Sequence, residues 1–509
     1  MRLNRGDQAL PAPAGVRAPN KWLVLITVGL GTFLSVLDSS VVNVSLPIIT
    51  RELATDVTTI QWVVMGYLLT ITGLLLTFGR LADLIGRKRV YVWGMLLFTI
   101  AMTACGLAQN VGQLIMLRVV EGIGSAMVMA IGPALTASAF PREERGKALG
   151  INATIVAAGG ISGPVLGGLL ADFLDWRWVF FFRGPFGLLA TLLAARVLAN
   201  VPGSGRGRFD VLGGALLFVW LAALTLGLNQ GRNLGWGSPA TLGLFATAVL
   251  GAVAFIAVER RAEEPMLELS VFRNRLFSAA SVSSLLSFMG NFAVALLMPF
   301  YFVQGMGYSA AVAGMMLIPQ PLTMSVVAPL SGALSDRIGS RLLSTAGLGI
   351  ACLALLSLST LHAGSTYPEV AIRLVAMGLG IGLFNSPNNS ALLSALPPGK
   401  MGVASGMLAT MRNLGMVMGT AIAGAVWTAR MAYHAESLAA SGLDPQTLGV
   451  QAFLGGFQDA LRVSAAICFV GVFTSMVRGT QTKESEASPR VATGGDGPPR
   501  QRDPLSARD

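Results

Sequence analysis

Apolar runs long enough to cross a bilayer occupy most of this 509-residue chain. Crossing takes roughly 20 residues, and fourteen runs meet that length, at about 22–46, 61–80, 90–109, 113–137, 147–170, 179–199, 211–230, 239–258, 277–303, 310–333, 342–361, 369–395, 403–428 and 459–477. Irregular backbone and open strands are not viable against lipid, so runs of this length are read as helices. The expected fold is an all-α integral membrane protein with fourteen transmembrane helices. Charged residues make up only 12%, half the share of a soluble domain, which is about 25%. The net charge of +11 does not indicate nucleic acid, because the cations cluster between apolar runs.

Those cations set an orientation. They fall at Arg87-Lys88-Arg89, at Arg142, Arg145 and Lys147, at Arg206 and Arg208, at Arg260-Arg261 with Arg273 and Arg275, at Arg337 and Arg341, and at Lys400. Every one of these groups follows an even-numbered run. Cytoplasmic loops carry such an excess, so the N-terminal segment 1–20, with Arg2, Arg5 and Arg17, is expected in the cytoplasm. An even count places the tail 479–509 there too. That tail is rich in Pro, Gly, Ser and charge and is expected to be disordered. The first run is too long for a signal peptide and is read as an uncleaved helix.

The chain repeats itself. Gly79-Arg-Leu-Ala-Asp83-Leu-Ile-Gly86-Arg87 ends the second run, and Gly332-Ala-Leu-Ser-Asp336-Arg-Ile-Gly339-Ser340 ends the tenth. Both strings fall between the second and third helix of a six-helix block. The plan is therefore 6+2+6: a first half over 21–200, two inserted helices with linkers over 201–276, and a second half over 277–478. Two parallel halves related by an axis along the membrane normal are one known organisation of transport proteins.

Asp38 stands alone in the first run, in Leu37-Asp38-Ser39-Ser40-Val41-Val42-Asn43. A carboxylate there costs about 2.5–3.5 kcal/mol on insertion scales, which suggests a group that gains and loses a proton. Ser35, Asp38 and Ser39 share one helical face. Arg118, in Leu117-Arg118-Val119-Val120-Glu121-Gly122, lies at similar depth by the 1.5 Å rise per residue, so the two can pair. An arginine that draws near holds a carboxylate ionised, and one that retreats lets it take a proton. Glu121 is three residues from Arg118 and is either its local partner or a second protonatable site.

Other residues carry weaker signals. Gly159-x-x-x-Gly163-Pro164-x-x-Gly167-Gly168 presents a flat face for close helix packing. The glycines Gly79, Gly86 and Gly339 are expected to allow tight turns, with Asp83 and Asp336 accepting from a helix N-terminus or from an arginine such as Arg87 to latch one conformation. Arg412 lies mid-run and needs a partner or a watered cavity. Arg183 is expected to snorkel outward. Phe288, Asn291 and Phe292, with Met298, Tyr301 and Asn43, are candidate lining for a plastic apolar cavity. His362 and His434 are placed in outer loops. Cys105, Cys352 and Cys468 lie in separate apolar runs and indicate no disulfide or metal framework. No Gly-x-x-x-x-Gly-Lys string is present, so no nucleotide is expected.

Taken jointly over residues 20–480, the Asp38, Gly79–Arg89, Arg118 and Gly159–Gly168 strings resemble the fourteen-helix drug:proton antiporters of the major facilitator superfamily. The resemblance implies Asp38 in proton handling, Arg118 in tuning proton release, the Gly79–Arg87 string as a latch, and the glycine string as the mark of exporters. It implies a proton-coupled exporter of small lipophilic compounds in a bacterial inner membrane, with no cofactor and no enzymatic activity. Carboxylates facing the cavity favour cationic substrates, while Arg118 and Arg412 serve anionic or neutral ones equally. Three positions depart from the family pattern: Leu84 where Arg is usual, Glu121 where Gln is usual, and Arg183 where an uncharged residue is usual. A proton-coupled importer of a small metabolite and a non-transporting receptor are the rival readings.

Overall fold

The structure, a computed structural model, describes residues 20–141, 144–200, 203, 211–262, 269–396 and 401–477. The terminal segments and the expected loop cations Arg142, Arg206, Arg208 and Lys400 lie outside these residues. The described residues are mostly helical, with no strand among them. In chain order the helices are α1 (Lys21–Glu52), α2 (Val57–Ile60), α3 (Trp62–Ile85), α4 (Arg87–Cys105), α5 (Val111–Ala139), α6 (Arg145–Phe173), α7 (Trp178–Phe181), α8 (Gly184–Val197), α9 (Val211–Leu234), α10 (Pro239–Arg261), α11 (Arg275–Phe300), α12 (Ala310–Met316), α13 (Pro319–Ile338), α14 (Ser340–Leu358), α15 (Tyr367–Ser394), α16 (Met401–Leu438) and α17 (Pro445–Met476).

Among the described residues, thirteen helical segments are long and apolar enough to cross a membrane. The fourteenth expected span is α4, a 19-residue helix whose first turn holds Arg87, Lys88 and Arg89. Local chemistry sets many of the boundaries. Side-chain oxygens of Asn20, Asn110, Asn274 and Asp444 cap α1, α5, α11 and α17, each satisfying a backbone N–H that helix geometry leaves free. Large apolar side chains such as Ile100, Leu250 and Phe473 remain exposed, as a lipid-facing surface requires.

Two runs are broken rather than continuous. The sixth divides into α7 and α8 at Phe182-Arg183, where Pro185 begins the new helix. The tenth divides into α12 and α13 at Leu317-Ile318, again ahead of a proline, Pro319. The last two helices run farther than expected. α16 has 38 residues, or about 57 Å at 1.5 Å per residue, well beyond a bilayer core of about 30 Å. His434 therefore lies on α16 and not in a loop; its Nε2 is 3.0 Å from Asp459 Oδ2 on α17.

The repeat seen in the sequence has a matching geometry. Gly86 alone separates α3 from α4, and Gly339 alone separates α13 from α14. Their φ values are 104° and 87°, a region open to glycine. Each donates its N–H to the carbonyl four residues back, Gly86 to Ala82 and Gly339 to Ser335, at 3.0 and 2.9 Å. Gly79 needs no such freedom. It lies inside α3 with room for a Cβ, which would meet Ala130 only at 4.0 Å, and forms no turn, contrary to expectation.

Helices α1 and α3–α8 pack with one another, as do α11–α17, and α9 pairs with α10. The two sets meet along α6 against α12, α3 against α16, and α1 against α11. Counted within each six-helix set, the first two contacts are the fifth helix of one set on the second helix of the other, in both directions. The third joins first helix to first helix. Such reciprocal pairing is what a two-fold relation along the membrane normal produces. The inserted α9 lies against both α3 and α16.

Candidate functional site

Asp38 sits midway along α1 and is fully buried, with its carboxylate turned into the first helix set. Arg118 on α5 donates through Nη1 to Asp38 Oδ1 at 2.9 Å and Oδ2 at 2.8 Å. The same nitrogen donates to Glu121 Oε2 at 2.7 Å. Arg118 is held from behind: its Nε donates to the Val63 carbonyl at 3.0 Å, and its guanidinium lies 4.1 Å from the centre of the Tyr67 ring. Tyr67 is itself fixed by Ser125, 2.9 Å from its hydroxyl.

Arg183 completes the cluster. It does not snorkel outward but is fully buried, and its Nη1 donates to Asp38 Oδ1. Its Nε donates to the Val179 carbonyl at 2.9 Å, across the break between α7 and α8. Four ionisable groups thus form a chain, Glu121–Arg118–Asp38–Arg183, with alternating sign. Two carboxylates and two guanidinia sum to zero, which is how a buried ionic group avoids an unpaired charge. Two atoms at the ends of the chain stay unpartnered and buried, Glu121 Oε1 and Arg183 Nη2. The quartet is therefore saturated inside and open at both ends. One added proton on either carboxylate would leave it with a net positive charge and weaken at least one ion pair.

The glycine string on α6 faces two ways. A Cβ on Gly159 would meet the Phe33 carbonyl at 3.2 Å, and one on Gly167 the Val41 carbonyl at 2.7 Å, both on α1; Gly163 packs on Ser40 of the same helix. Gly168 instead packs on the backbone of Ala310 and Ala311 in α12 of the second set, where Gly314 in turn packs on Pro164. Asp172 Oδ2 also accepts from the Ala311 N–H at 3.4 Å. The string joins the two halves as well as bracing one.

One contact of the expected latch is local. Asp83 accepts from Arg87 Nε at 3.1 Å and Nη2 at 3.0 Å across the Gly86 turn. Both side chains are nearly half exposed, and such pairs contribute under about 1 kcal/mol. Asp336 occupies the matching last turn of α13.

The residues expected to line a cavity separate into groups. Met298 and Tyr301 are fully buried core; the Tyr301 ring stacks on Phe457 with centroids 4.9 Å apart, and its hydroxyl donates to the His362 carbonyl. Phe288, Asn291 and Phe292 are only partly buried. Asn291 Oδ1 accepts from Gln320 Nε2 at 2.7 Å, joining α11 to the start of α13. Asn43 is buried with Oδ1 unpartnered, and Arg412 is partly buried with Nε unpartnered.

Comparison with known proteins agrees with this architecture. The family model of the Major Facilitator Superfamily matches residues 28–420. The chain is 31% identical over 466 residues to the riboflavin transporter RibZ of Clostridioides difficile, covering 91% of this chain and 99% of that protein. It is 35% identical over 411 residues to the multidrug resistance protein Stp of Mycobacterium tuberculosis, covering 80% and 76%. Among solved structures, a bacterial homologue of the human lysosomal transporter Spinster, in an inward-facing and unoccupied conformation, superposes with a TM-score of 0.67 at 16% identity, covering 91% of this chain and 98% of that one. With two reciprocally packed helix sets and a family match across most of its length, the chain belongs to the Major Facilitator Superfamily, a family of multi-pass membrane transporters.

Proposed function

We propose that the chain is a proton-coupled exporter of small lipophilic compounds that works by alternating access in the bacterial cytoplasmic membrane. The distribution of cations supports placing the Gly86 and Gly339 turns on the cytoplasmic side. The observation that carries the reading is the buried quartet of Glu121, Arg118, Asp38 and Arg183. It joins three separate parts of the first helix set, α1, α5 and the α7–α8 break, so a proton that loosens one pair changes how those elements hold together. With the cavity open outward, Asp38 or Glu121 takes a proton and releases an arginine. With the cavity open inward, the proton leaves and substrate binds in the space between the halves. Proton and substrate favour opposite states, as linkage demands of an exchanger. Outward direction is supported by the glycine string and by the likeness to a multidrug resistance protein.

Import of a small metabolite is the second reading, favoured by the likeness to a riboflavin transporter over nearly the whole length. An efflux-deficient host expressing the chain separates the two. Cells are loaded with cationic, neutral and anionic dyes and with riboflavin, with and without a protonophore. Export predicts lower retention of at least one compound, by roughly tenfold or less, abolished by the protonophore. Protonophore-sensitive accumulation would overturn the direction, and no energised movement of any compound would overturn the coupling.

A further inference from the structure

We propose that the second helix set carries an anion-binding subsite centred on Arg412, and that the transported compound bears a carboxylate or a similar acidic group. This rests on the transporter reading above and names its substrate class. Arg412 is the eleventh residue after Met401 in α16, about 17 Å along the helix at 1.5 Å per residue and so near the middle of a bilayer core of about 30 Å. Its Nε is buried without a hydrogen-bond partner, and among the described residues no carboxylate lies within ion-pair distance of it. A guanidinium at that depth is expensive unless something balances it.

The facing helix α11 supplies hydroxyls and no carboxylate. A Cβ on Gly415 would lie 2.6 Å from the Leu285 carbonyl and 2.8 Å from Phe288 Cβ, and Gly419 packs on the backbone of Met289. Helices α11 and α16 thus run side by side in the same direction. Arg412 lies one turn before Gly415 on that stripe. Ser284 and Ser281 lie one and two turns before Phe288 on the facing stripe of α11. Both serine hydroxyls are buried and without a partner. A planar guanidinium fork on one helix and free hydroxyls on the helix packed against it suit a carboxylate, which accepts two parallel N–H bonds and more besides.

Charge elsewhere in the interior points the same way. Asp38 and Glu121 are balanced by Arg118 and Arg183, so the quartet has no net negative charge to offer a cation. Among the described residues Arg412, unlike the arginines of the quartet, has no carboxylate bonded to it. An acidic substrate moving out against one incoming proton transfers two charges in the same electrical direction, whereas a monovalent cation exchanged for a proton transfers none.

The test uses the full chain in nanodiscs with carboxyfluorescein and pyrenebutyrate as anionic probes and ethidium as the cation. Saturable binding of at least one anion is expected, weakened about tenfold or more by Arg412→Gln and less by Arg412→Lys, with ethidium unaffected. Absence of saturable binding by both anions, or binding indifferent to Arg412→Gln, overturns the subsite. In proteoliposomes a potassium diffusion potential imposed with valinomycin, negative on the side the substrate leaves, should speed movement of the bound anion. If Arg412-dependent binding is found without proton-driven movement, the exporter reading fails and the subsite stands. If Arg412→Gln leaves proton-driven ethidium export intact and no anion binds, the subsite fails and the exporter reading stands.

Discussion

Asp38→Asn is expected to abolish proton-driven transport and also to lower thermal stability, while Asp38→Asn with Arg183→Gln recovers the stability and not the transport. The reason is the alternating charge order. Among the described residues Asp38 is the only carboxylate bonded to both Arg118 and Arg183. Its amide leaves Arg118 with Glu121 but strands Arg183, a fully buried cation. Breaking a buried pair from one side costs about 3–5 kcal/mol, mostly because the other charge is left uncompensated. Removing that second charge returns the cluster to neutrality, so most of the loss should be regained. The proton carrier stays absent, so coupling does not return. Unfolding midpoints of the purified variants and proton-driven dye movement in everted vesicles measure the two effects separately. Transport restored in the double variant would reduce Asp38 to a structural counter-ion, and wild-type transport in the single variant would remove it from the mechanism.

The quartet was only three-quarters legible in the sequence. Asp38 and Arg118 stand out because a lone charge inside an apolar run has few uses, and the constant helical rise was enough to set them at one depth. Arg183 was missed because Gly184-Pro185 makes it look like the polar end of a run. The available signal was charge balance: two acids against one arginine called for a second cation nearby. Helix number was readable because membrane thickness fixes the length of a span, while the breaks at Arg183 and Ile318 were not. A proline at the first helical position and a proline inside a helix leave the same letters in the sequence. Gly79 and Gly86 belong to one string, yet only Gly86 takes a positive φ; sequence spacing carries no dihedral angle. Met298 and Tyr301 show the same limit for apolar lining. A cavity wall and a packed core call for the same residue types, and only the stacking on Phe457 tells them apart.

The neighbouring glycines Gly167 and Gly168 should fail in different ways when enlarged to valine. A Cβ at Gly167 comes within 2.7 Å of the Val41 carbonyl and 3.0 Å of its Cα. Both atoms are backbone of α1, which belongs to the same half and moves with α6 in any rocking motion. The clash is therefore present in every state, and Gly167→Val should reduce yield and unfolding midpoint. At Gly168 the obstructing atoms belong to the other half: the Ala310 carbonyl carbon at 2.9 Å and Ala311 Cα at 3.0 Å. That clash exists only while the halves are closed at this end. Overpacking of this kind costs about 1–3 kcal/mol, enough to shift a two-state population by about 5–150-fold, at a factor of ten per 1.4 kcal/mol. Gly168→Val should thus fold normally, hold this end open, and lose most transport because one half of the cycle is disfavoured. Spin labels at Phe173 and Ser309, on either side of the seam, report the separation directly; the distribution should move to longer distances in Gly168→Val and stay unchanged in any Gly167→Val that folds. Normal transport with an unshifted distance in Gly168→Val would mean that the α6–α12 contact is not part of the conformational cycle.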